Sequence, residues 1–219
     1  MNLEVIRSYL PLFTEAFILT MKIGWLGIAL SVFIGMFSAF VLYFRLPVLE
    51  GIIRFYVELF RNTPLLIQLF FIYFGLPAIG LSIPAEVCGT VALGLLGGSY
   101  MAESFRSGLE AVPYIQTESA MALGMSKGRL FVSVILPQAI AISVPAIIAN
   151  IIFLLKETSV FSAISLMDLM FTAKDLIGLY YNTTESLVLL VVFYVIMLLP
   201  VSFAGAMIEK KTRFKMFGD

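Results

Sequence analysis

Uncharged segments long enough to span a membrane alternate with short charged segments along this chain. Four runs contain no Asp, Glu, Lys or Arg, at residues 23–44, 62–85, 130–155 and 186–208. Each approaches or exceeds the roughly 20 apolar residues that an α-helix needs to cross the hydrocarbon core of a bilayer. A shorter uncharged run between Glu86 and Glu103 makes a fifth crossing if its ends reach the interface. The pattern predicts an all-α integral membrane protein with five transmembrane helices.

The crossings and the termini can be placed approximately from the same pattern. We predict one membrane domain over residues 14–208, with spans at about 14–44, 52–76, 87–106, 131–155 and 185–208. Residues 1–13 are expected to form an external N-terminal segment. Residues 209–219 are expected to form a basic cytoplasmic tail.

A helix outside the bilayer is predicted between the third and fourth spans, over about residues 113–124. Pro113 suits the first turn of a helix and Gly124 suits its end. Its centre combines small residues, Met and Leu with the carboxylate of Glu118, which favours a protein partner over a lipid surface. Ser126 is expected to cap the next helix, and Pro137 to kink it.

Composition supports a membrane protein and excludes several chemistries. Hydrophobic residues make up 61% of the 219 residues and charged residues only 13%. The chain contains no histidine, which excludes a Ser-His-Asp triad and any zinc or haem site that requires histidine. The single cysteine, Cys88, can form neither an internal disulfide nor a Cys-x-x-Cys pair. The sequence has no GxxxxGK[ST] phosphate loop, so this chain cannot by itself hydrolyse ATP in the usual phosphate cradle, and any such energy must come from elsewhere.

The distribution of basic residues predicts the orientation. If five spans begin outside, the inner segments contain Arg45, Arg54, Arg106, Lys127, Arg129, Lys210, Lys211, Arg213 and Lys215. The outer segments then contain only Arg7, Lys156 and Lys174. Because cytoplasmic segments carry an excess of Lys and Arg, we predict the N-terminus outside and the C-terminus inside.

The second span contains a polar cluster, Glu58-Leu-Phe-Arg61-Asn62-Thr63-Pro64. A charge at mid-bilayer costs roughly 2.5 to 3.5 kcal/mol on the insertion scale, so lipid alone cannot cover this cluster. Two interpretations are open: the charges lie near the inner interface and snorkel, or they line the interior of the bundle. Glu58 is spaced to pair along the helix with Arg61 or with Arg54, and Glu103 with Arg106.

Three stretches resemble a known family. Glu118-Ser119-Ala120, then Gly124, then Val134-Ile135-Leu136-Pro137 resembles the EAA loop of type I ABC importer permeases. The stretches Phe60–Gln68 and Leu155–Ser159 resemble the corresponding parts of polar amino-acid permeases. Departures from the usual pattern are Ser119 in place of alanine, Asn62 in place of a glycine and Ile115 where a glycine often stands.

The resemblance implies a transport subunit that is not itself an enzyme. In this family the permease dimerises with an identical or related chain and binds two ATPase subunits, which hold the ATP and Mg, through its EAA helices. An external binding protein delivers a polar amino acid or a cystine-like compound, and transport proceeds by alternating access across the bacterial cytoplasmic membrane. The chain itself is expected to bind no cofactor, no metal and no nucleic acid.

Two groups of residues are assigned to these roles. Coupling to the ATPase is assigned to Glu118, Ser119, Ala120 and Gly124. The substrate path is assigned to Glu58, Arg61, Thr63, Gln68, Glu103, Asn150, Lys156, Glu157 and Thr158. An amino-acid zwitterion needs both a cationic and an anionic or carbonyl partner, and this second set supplies both. Several members could instead bond neighbouring helices or anchor a helix end.

The main alternative is an ion-coupled secondary transporter, in which Glu15, Glu58 and Glu103 would carry protons. Such folds are usually built from inverted repeats, which this odd number of spans does not suggest. A ligand-gated channel is a third possibility. Neither alternative requires a cytoplasmic docking helix.

Overall fold

Ten α-helices build the part of the chain that the structure describes. This computed structural model describes residues 2–217 and the side chains of residues 2–212. The helices are Leu3–Phe44 (α1), Leu49–Arg61 (α2), Leu65–Phe70 (α3), Leu76–Ala78 (α4), Ala85–Glu110 (α5), Tyr114–Ala122 (α6), Lys127–Leu130 (α7), Leu136–Glu157 (α8), Leu169–Tyr180 (α9) and Thr183–Phe217 (α10). Two π-helical turns, Phe71–Gly75 and Phe131–Ile135, and a 3₁₀ segment, Thr158–Ile164, link some of them.

Within the described residues, four helices are long and apolar enough to cross a membrane, namely Leu3–Phe44, Ala85–Glu110, Lys127–Ile164 and Thr183–Thr212. A fifth crossing results if Leu49–Arg61 and Leu65–Ala78 together form one broken span. The all-helical membrane architecture is therefore confirmed, with four to five candidate spans.

The second predicted span differs from a continuous helix over 52–76. Its two halves are bent by 108° at residues 62–64. Pro64 is the N-cap of α3 and is extended, with φ −61° and ψ 142°. α2 cannot continue through it, because the proline ring lacks an N–H and crowds the preceding turn. The bend places Arg61 at the end of one helix, beside the start of the next.

Both chain ends are more helical than the pattern indicated. α1 begins at Leu3 rather than near residue 14, because the Asn2 side chain accepts the N–H of Glu4 at 3.0 Å and caps the first turn. At the other end α10 continues through the predicted tail to Phe217. Met1, residues 218–219 and the side chains of Arg213 and Lys215 lie outside the described part.

α5 is the central helix of the bundle, and its glycines allow its neighbours to approach closely. A Cβ at Gly97 would lie 2.1 Å from Ser31 Oγ of α1. A Cβ at Gly108 would lie 1.9 Å from Ser143 Oγ and 2.5 Å from the Ala139 carbonyl oxygen of α8. Small residues at such contacts are the usual means of close helix packing in membranes. They explain how α5 fits between α1 and α8.

α8 enters the bundle through a π-helical turn. Pro137 cannot donate a backbone hydrogen bond, and the turn Phe131–Ile135 precedes it, with the Leu136 N–H bonded to the Phe131 carbonyl. Ser126 occupies the N-cap position of α7 as predicted, but its side chain makes no capping hydrogen bond.

Among the side chains that the structure describes, the buried apolar ones form three clusters. The central cluster joins α1, α3, α5, α8 and the 3₁₀ segment, and contains Cys88. The N-terminal cluster joins Tyr9 and Phe13 of α1 to α9 and to the first part of α10. The third, here called the α6 cluster, packs Ala120 against Leu109 and Ile135.

Candidate functional site

Gln68 closes the bend in the broken span. Its Nε2 lies within hydrogen-bond distance of the carbonyl oxygens of Phe60 (2.9 Å) and Thr63 (3.0 Å) and of Thr63 Oγ1 (2.8 Å). Thr63 Oγ1 in turn donates to the Leu59 carbonyl at 2.9 Å. These bonds satisfy carbonyls that the break leaves without helical partners. Thr63 and Gln68 were predicted to lie on the substrate path. In the structure, their side chains hold the backbone of the bend.

An ion network crosses from the bend to α5. Arg106 Nη2 lies 2.5 Å from Glu103 Oε1 on the same helix. Arg106 Nη1 lies 2.7 Å from Glu110 Oε1. Arg61 lies 3.6 Å from Glu103 and places its guanidinium 5.6 Å from the centre of the Tyr100 ring. The predicted Glu103–Arg106 pair is thus present.

The two pairs predicted for Glu58 are not formed. Arg54 binds Glu50 at 2.8 Å instead. Arg61 of α2 lies against Glu103 of α5. The 108° bend explains the second change, because it brings Arg61 against α5, which the spacing along one helix cannot reveal.

A charged cavity of about 470 Å³ lies between the end of α1, α2 and the last turns of α5. Four arginines and four glutamates line it: Arg45, Glu50, Arg54, Glu58, Arg61, Glu103, Arg106 and Glu110. It adjoins the α6 end of the bundle, since Glu110 is the last residue of α5. Both signs of charge are present in equal number.

A groove of about 560 Å³ lies on the other side of Arg61. Arg61, Thr63 and Glu157 line it together with Tyr100 and Phe153, whose rings meet edge to face at 5.3 Å. This groove therefore combines a cation, a carboxylate and an aromatic wall. The aromatic residues were missed by sequence reasoning, because Tyr100 and Phe153 look like ordinary members of apolar helices.

The other residues assigned to the path lie elsewhere. Asn150 Nδ2 donates to Ser104 Oγ at 2.8 Å and joins α8 to α5. Thr158 is fully buried, and its hydroxyl donates to the Leu155 carbonyl at 2.7 Å. Lys156 points to a different surface, an apolar groove between α8 and α10. Of the nine predicted residues, three line the groove and three line the charged cavity, with Arg61 common to both.

α6 is a short helix with an exposed apolar surface. Tyr114, Ile115, Met121 and Leu123 are 47–83% exposed, and Glu118 and Ser119 are also exposed. Ala120 faces inward, only 5% exposed, and attaches the helix to the α6 cluster.

Gly124 ends this helix in the left-handed conformation, with φ +76°. The Gly124 N–H donates to the Met121 carbonyl at 2.9 Å, and the Met125 N–H to the Ala120 carbonyl at 3.1 Å. This is the Schellman arrangement, which favours glycine because any side chain is strained at positive φ. Gly124 therefore sets the direction in which the chain leaves α6.

Comparison with known proteins places this architecture in a family. The family model described as the inner membrane component of binding-protein-dependent transport systems matches residues 31–214. The chain belongs to this family. As a permease of this kind it is a membrane subunit of an ABC importer, not itself catalytic.

Individual relatives cover most or nearly all of the permease. It is 32% identical over 216 residues to the arginine transport system permease protein ArtQ of Bacillus subtilis, covering 97% of this chain and 99% of that one. It is 33% identical over 172 residues to a probable glutamine ABC transporter permease, GlnP, of the same species, covering 78% and 79%.

Solved structures show the same fold. The crystal structure of an amino acid ABC transporter with histidines has a TM-score of 0.88 at 33% identity and covers 96% of the permease and 99% of that chain. The methionine ABC transporter MetNI in an inward-facing conformation, at 22% identity and a TM-score of 0.79, shows the fold alone. The permease thus resembles subunits of ATP-driven transporters. This resemblance does not favour the alternative of an ion-coupled transporter. Glu15 is also absent from the lining of the cavity that contains Glu58 and Glu103.

Proposed function

We propose that this permease carries a polar amino acid into the cell, driven by ATP hydrolysis on separate subunits. The observation that supports this proposal best is the groove in which Arg61 and Glu157 face the same space beside Tyr100. Arg61 would bind the carboxylate of the amino acid, and Glu157 its ammonium group. The named arginine and glutamine systems among the relatives agree with a polar amino-acid substrate.

The proposed topology has five spans, with the broken pair α2 to α4 counted as one. The N-terminus lies outside and α6 inside, in the bacterial cytoplasmic membrane, as the distribution of basic residues favours. A second permease chain, identical or related, completes the pore, and an external binding protein supplies the substrate.

The proposed mechanism is alternating access. ATP and Mg bind the ATPase pair, which grips the exposed surface of α6 around Glu118 and Ser119 in each permease chain. ATP binds the closed ATPase pair more tightly than the open one, so its binding shifts the permease between inward-open and outward-open states. Ala120 and Gly124 act by holding α6 at a fixed position and angle on the bundle.

Replacement of Gly124 tests the docking role of α6. We expect Gly124→Arg to lose the ATPase in a detergent pull-down from native membranes, because the side chain is strained at φ +76° and the helix end moves. Gly128→Arg is the matched control, since Gly128 lies nearby in α7, has no positive φ and leaves open space around an added Cβ. Mass spectrometry of the retained proteins gives the result.

The same preparations test the substrate. Wild type and Gly128→Arg should retain a phosphate-loop ATPase whose activity in proteoliposomes rises with the binding protein loaded with arginine, glutamine or histidine. Failure of wild type to retain any ATPase, with the chain folded, would refute the proposal. Equal retention by Gly124→Arg would refute the role of α6 alone.

A further inference from the structure

The groove and the charged cavity meet at one side chain. Among the residues described, their linings share Arg61 alone. The groove extends from Arg61 toward Leu66 and Phe153, and the cavity extends from Arg61 toward Glu110, where α5 ends next to α6. Arg61 therefore borders both spaces, and Glu103, which lies 3.6 Å from it, borders the cavity.

The bonds at this boundary are unequal. Glu103 is held by Arg106 at 2.5 Å, and Arg106 is held in turn by Glu110 at 2.7 Å. Arg61 approaches Glu103 only to 3.6 Å, which is longer than an N–H···O hydrogen bond. If Arg61 moves away, Glu103 keeps its closer cation. Arg61 is thus the partner that can leave without exposing an unpaired carboxylate.

A substrate carboxylate offers Arg61 a better partner than Glu103 does. A guanidinium binds a free carboxylate through two parallel, charge-assisted hydrogen bonds, which the contact at 3.6 Å does not provide. The Tyr100 ring, 5.6 Å from the guanidinium, offers a cation–π surface along which the side chain can turn.

We propose that the Arg61–Glu103 pair is a gate within one permease chain, through which the zwitterionic amino acid passes from the groove into the charged cavity. This inference rests on the proposed function and adds an exit route and a second holding site. The cavity suits a zwitterion because cations and carboxylates alternate on its walls, as Arg54 with Glu50 and Arg106 with Glu110. Its volume of about 470 Å³ lies in the range of small-molecule sites.

Thiol labelling tests the gate without any transported substrate. Leu66 lines the groove and is 39% exposed, so Leu66→Cys provides a reporter. A charged, membrane-impermeant thiosulfonate is added to inside-out vesicles, which expose the ATPase side of the complex. Wild type measures the background, because its only thiol, Cys88, is buried.

Opening the gate should speed this labelling. We expect the thiol of Leu66→Cys to be labelled slowly. Adding Glu103→Gln or Arg61→Gln to this variant should raise the labelling rate about fivefold, because either change removes a partly exposed ion pair. Glu50→Gln is the matched control, since it removes a glutamate from the same cavity far from the groove. Co-elution of each variant with the ATPase shows that it has folded.

Two outcomes would overturn the gate. Equal labelling in all variants means that the pair closes nothing. Fast labelling of Leu66→Cys alone means that the groove already opens to the ATPase side by another route, such as the space between two permease chains. Because labelling requires no uptake, either result is separate from the test of the amino-acid substrate. A complex that transports amino acids with equal labelling rates would leave the proposed function intact.

Discussion

Asp168 is a fully buried carboxyl group in the segment between the last two candidate spans. Its Oδ1 accepts the Phe171 N–H at 2.8 Å and caps α9. Its Oδ2 has no hydrogen-bond partner among the described residues. Burial raises the pKa of Asp168 to about 7, although the capping N–H groups and Lys174 act in the opposite direction. The folded chain therefore holds this proton more tightly than the unfolded chain does.

The stability of the protein should depend on pH through this group. Because the pKa is 3.8 when unfolded and about 7 when folded, the stabilisation is complete at low pH and is lost as pH rises toward about 7. Asp168→Asn keeps the capping oxygen and removes the charge. We expect its melting temperature to exceed that of wild type at pH 8 and to approach it at pH 5.

Asp175→Asn provides the control for this prediction, since Asp175 is exposed on the same helix. Its melting temperature should follow that of wild type at both pH values. If the melting temperatures of wild type and Asp168→Asn differ by the same amount at pH 5 and at pH 8, the proposed titration of Asp168 is contradicted.

The close packing of α5 and α8 depends on Gly108. We expect Gly108→Ala to lower the free energy of unfolding by about 1 to 3 kcal/mol, as overpacking does, because the new methyl group meets the fixed Ala139 carbonyl oxygen at 2.5 Å. Gly178→Ala, in α9 with open space around it, should instead gain about 0.5 to 1 kcal/mol from helix propensity. Thermal unfolding in detergent measures both. A stable Gly108→Ala would show that the two helices can move apart.

The elements were predictable where the pattern is local. The span predicted over 87–106 is the middle of Ala85–Glu110, and the helix predicted over 113–124 is Tyr114–Ala122 with Gly124 just beyond it. The break at Pro64 was visible as a proline, but the 108° angle was not, because neighbouring helices fix it. The partner of Arg61 followed from that angle, so spacing along one helix predicted the wrong partner for it, whereas Arg54 pairs along its own helix with Glu50 instead of Glu58.

The residues of the candidate site were predictable only where a single residue stands out in the sequence. Charged residues inside an apolar span stand out in sequence, which identified Arg61, Glu103 and Glu157. Tyr100 and Phe153 carry no such signal, since an aromatic residue in a membrane helix usually packs against lipid or protein. Asn150 and Thr158 illustrate the limit of this signal, because a polar residue that bonds a neighbouring helix or a carbonyl of its own preceding turn has the same sequence pattern as one that binds a ligand.

At the scale of the whole molecule, Cys88 can report on folding. It is fully buried in the central cluster, and it is the only cysteine. We expect a thiol-reactive dye to leave the native protein unlabelled and to react cooperatively on heating, with the same midpoint as loss of helical circular dichroism. A Cys88→Ala variant should give no signal.

Two other results would be informative in this measurement. Rapid labelling at low temperature would contradict a closed central cluster. A loss of helical signal well below the labelling midpoint would mean that helices outside the central cluster, in the N-terminal cluster or the α6 cluster, unfold before it.

The N-terminal cluster also orders the events of biosynthesis. Its hydrogen bonds join residues 149 and 173 positions apart, Leu169 to Thr20 and Asn182 to Tyr9. A ribosome adding about 5–20 residues per second needs on the order of ten seconds to make the partners that α1 requires. During that interval the apolar side chains near the start of α1, Tyr9 and Phe13 among them, must be covered by lipid or by a chaperone. The N-terminal part of α1 is thus among the last parts of the bundle to find its final neighbours, although the rest of α1 meets α5 earlier.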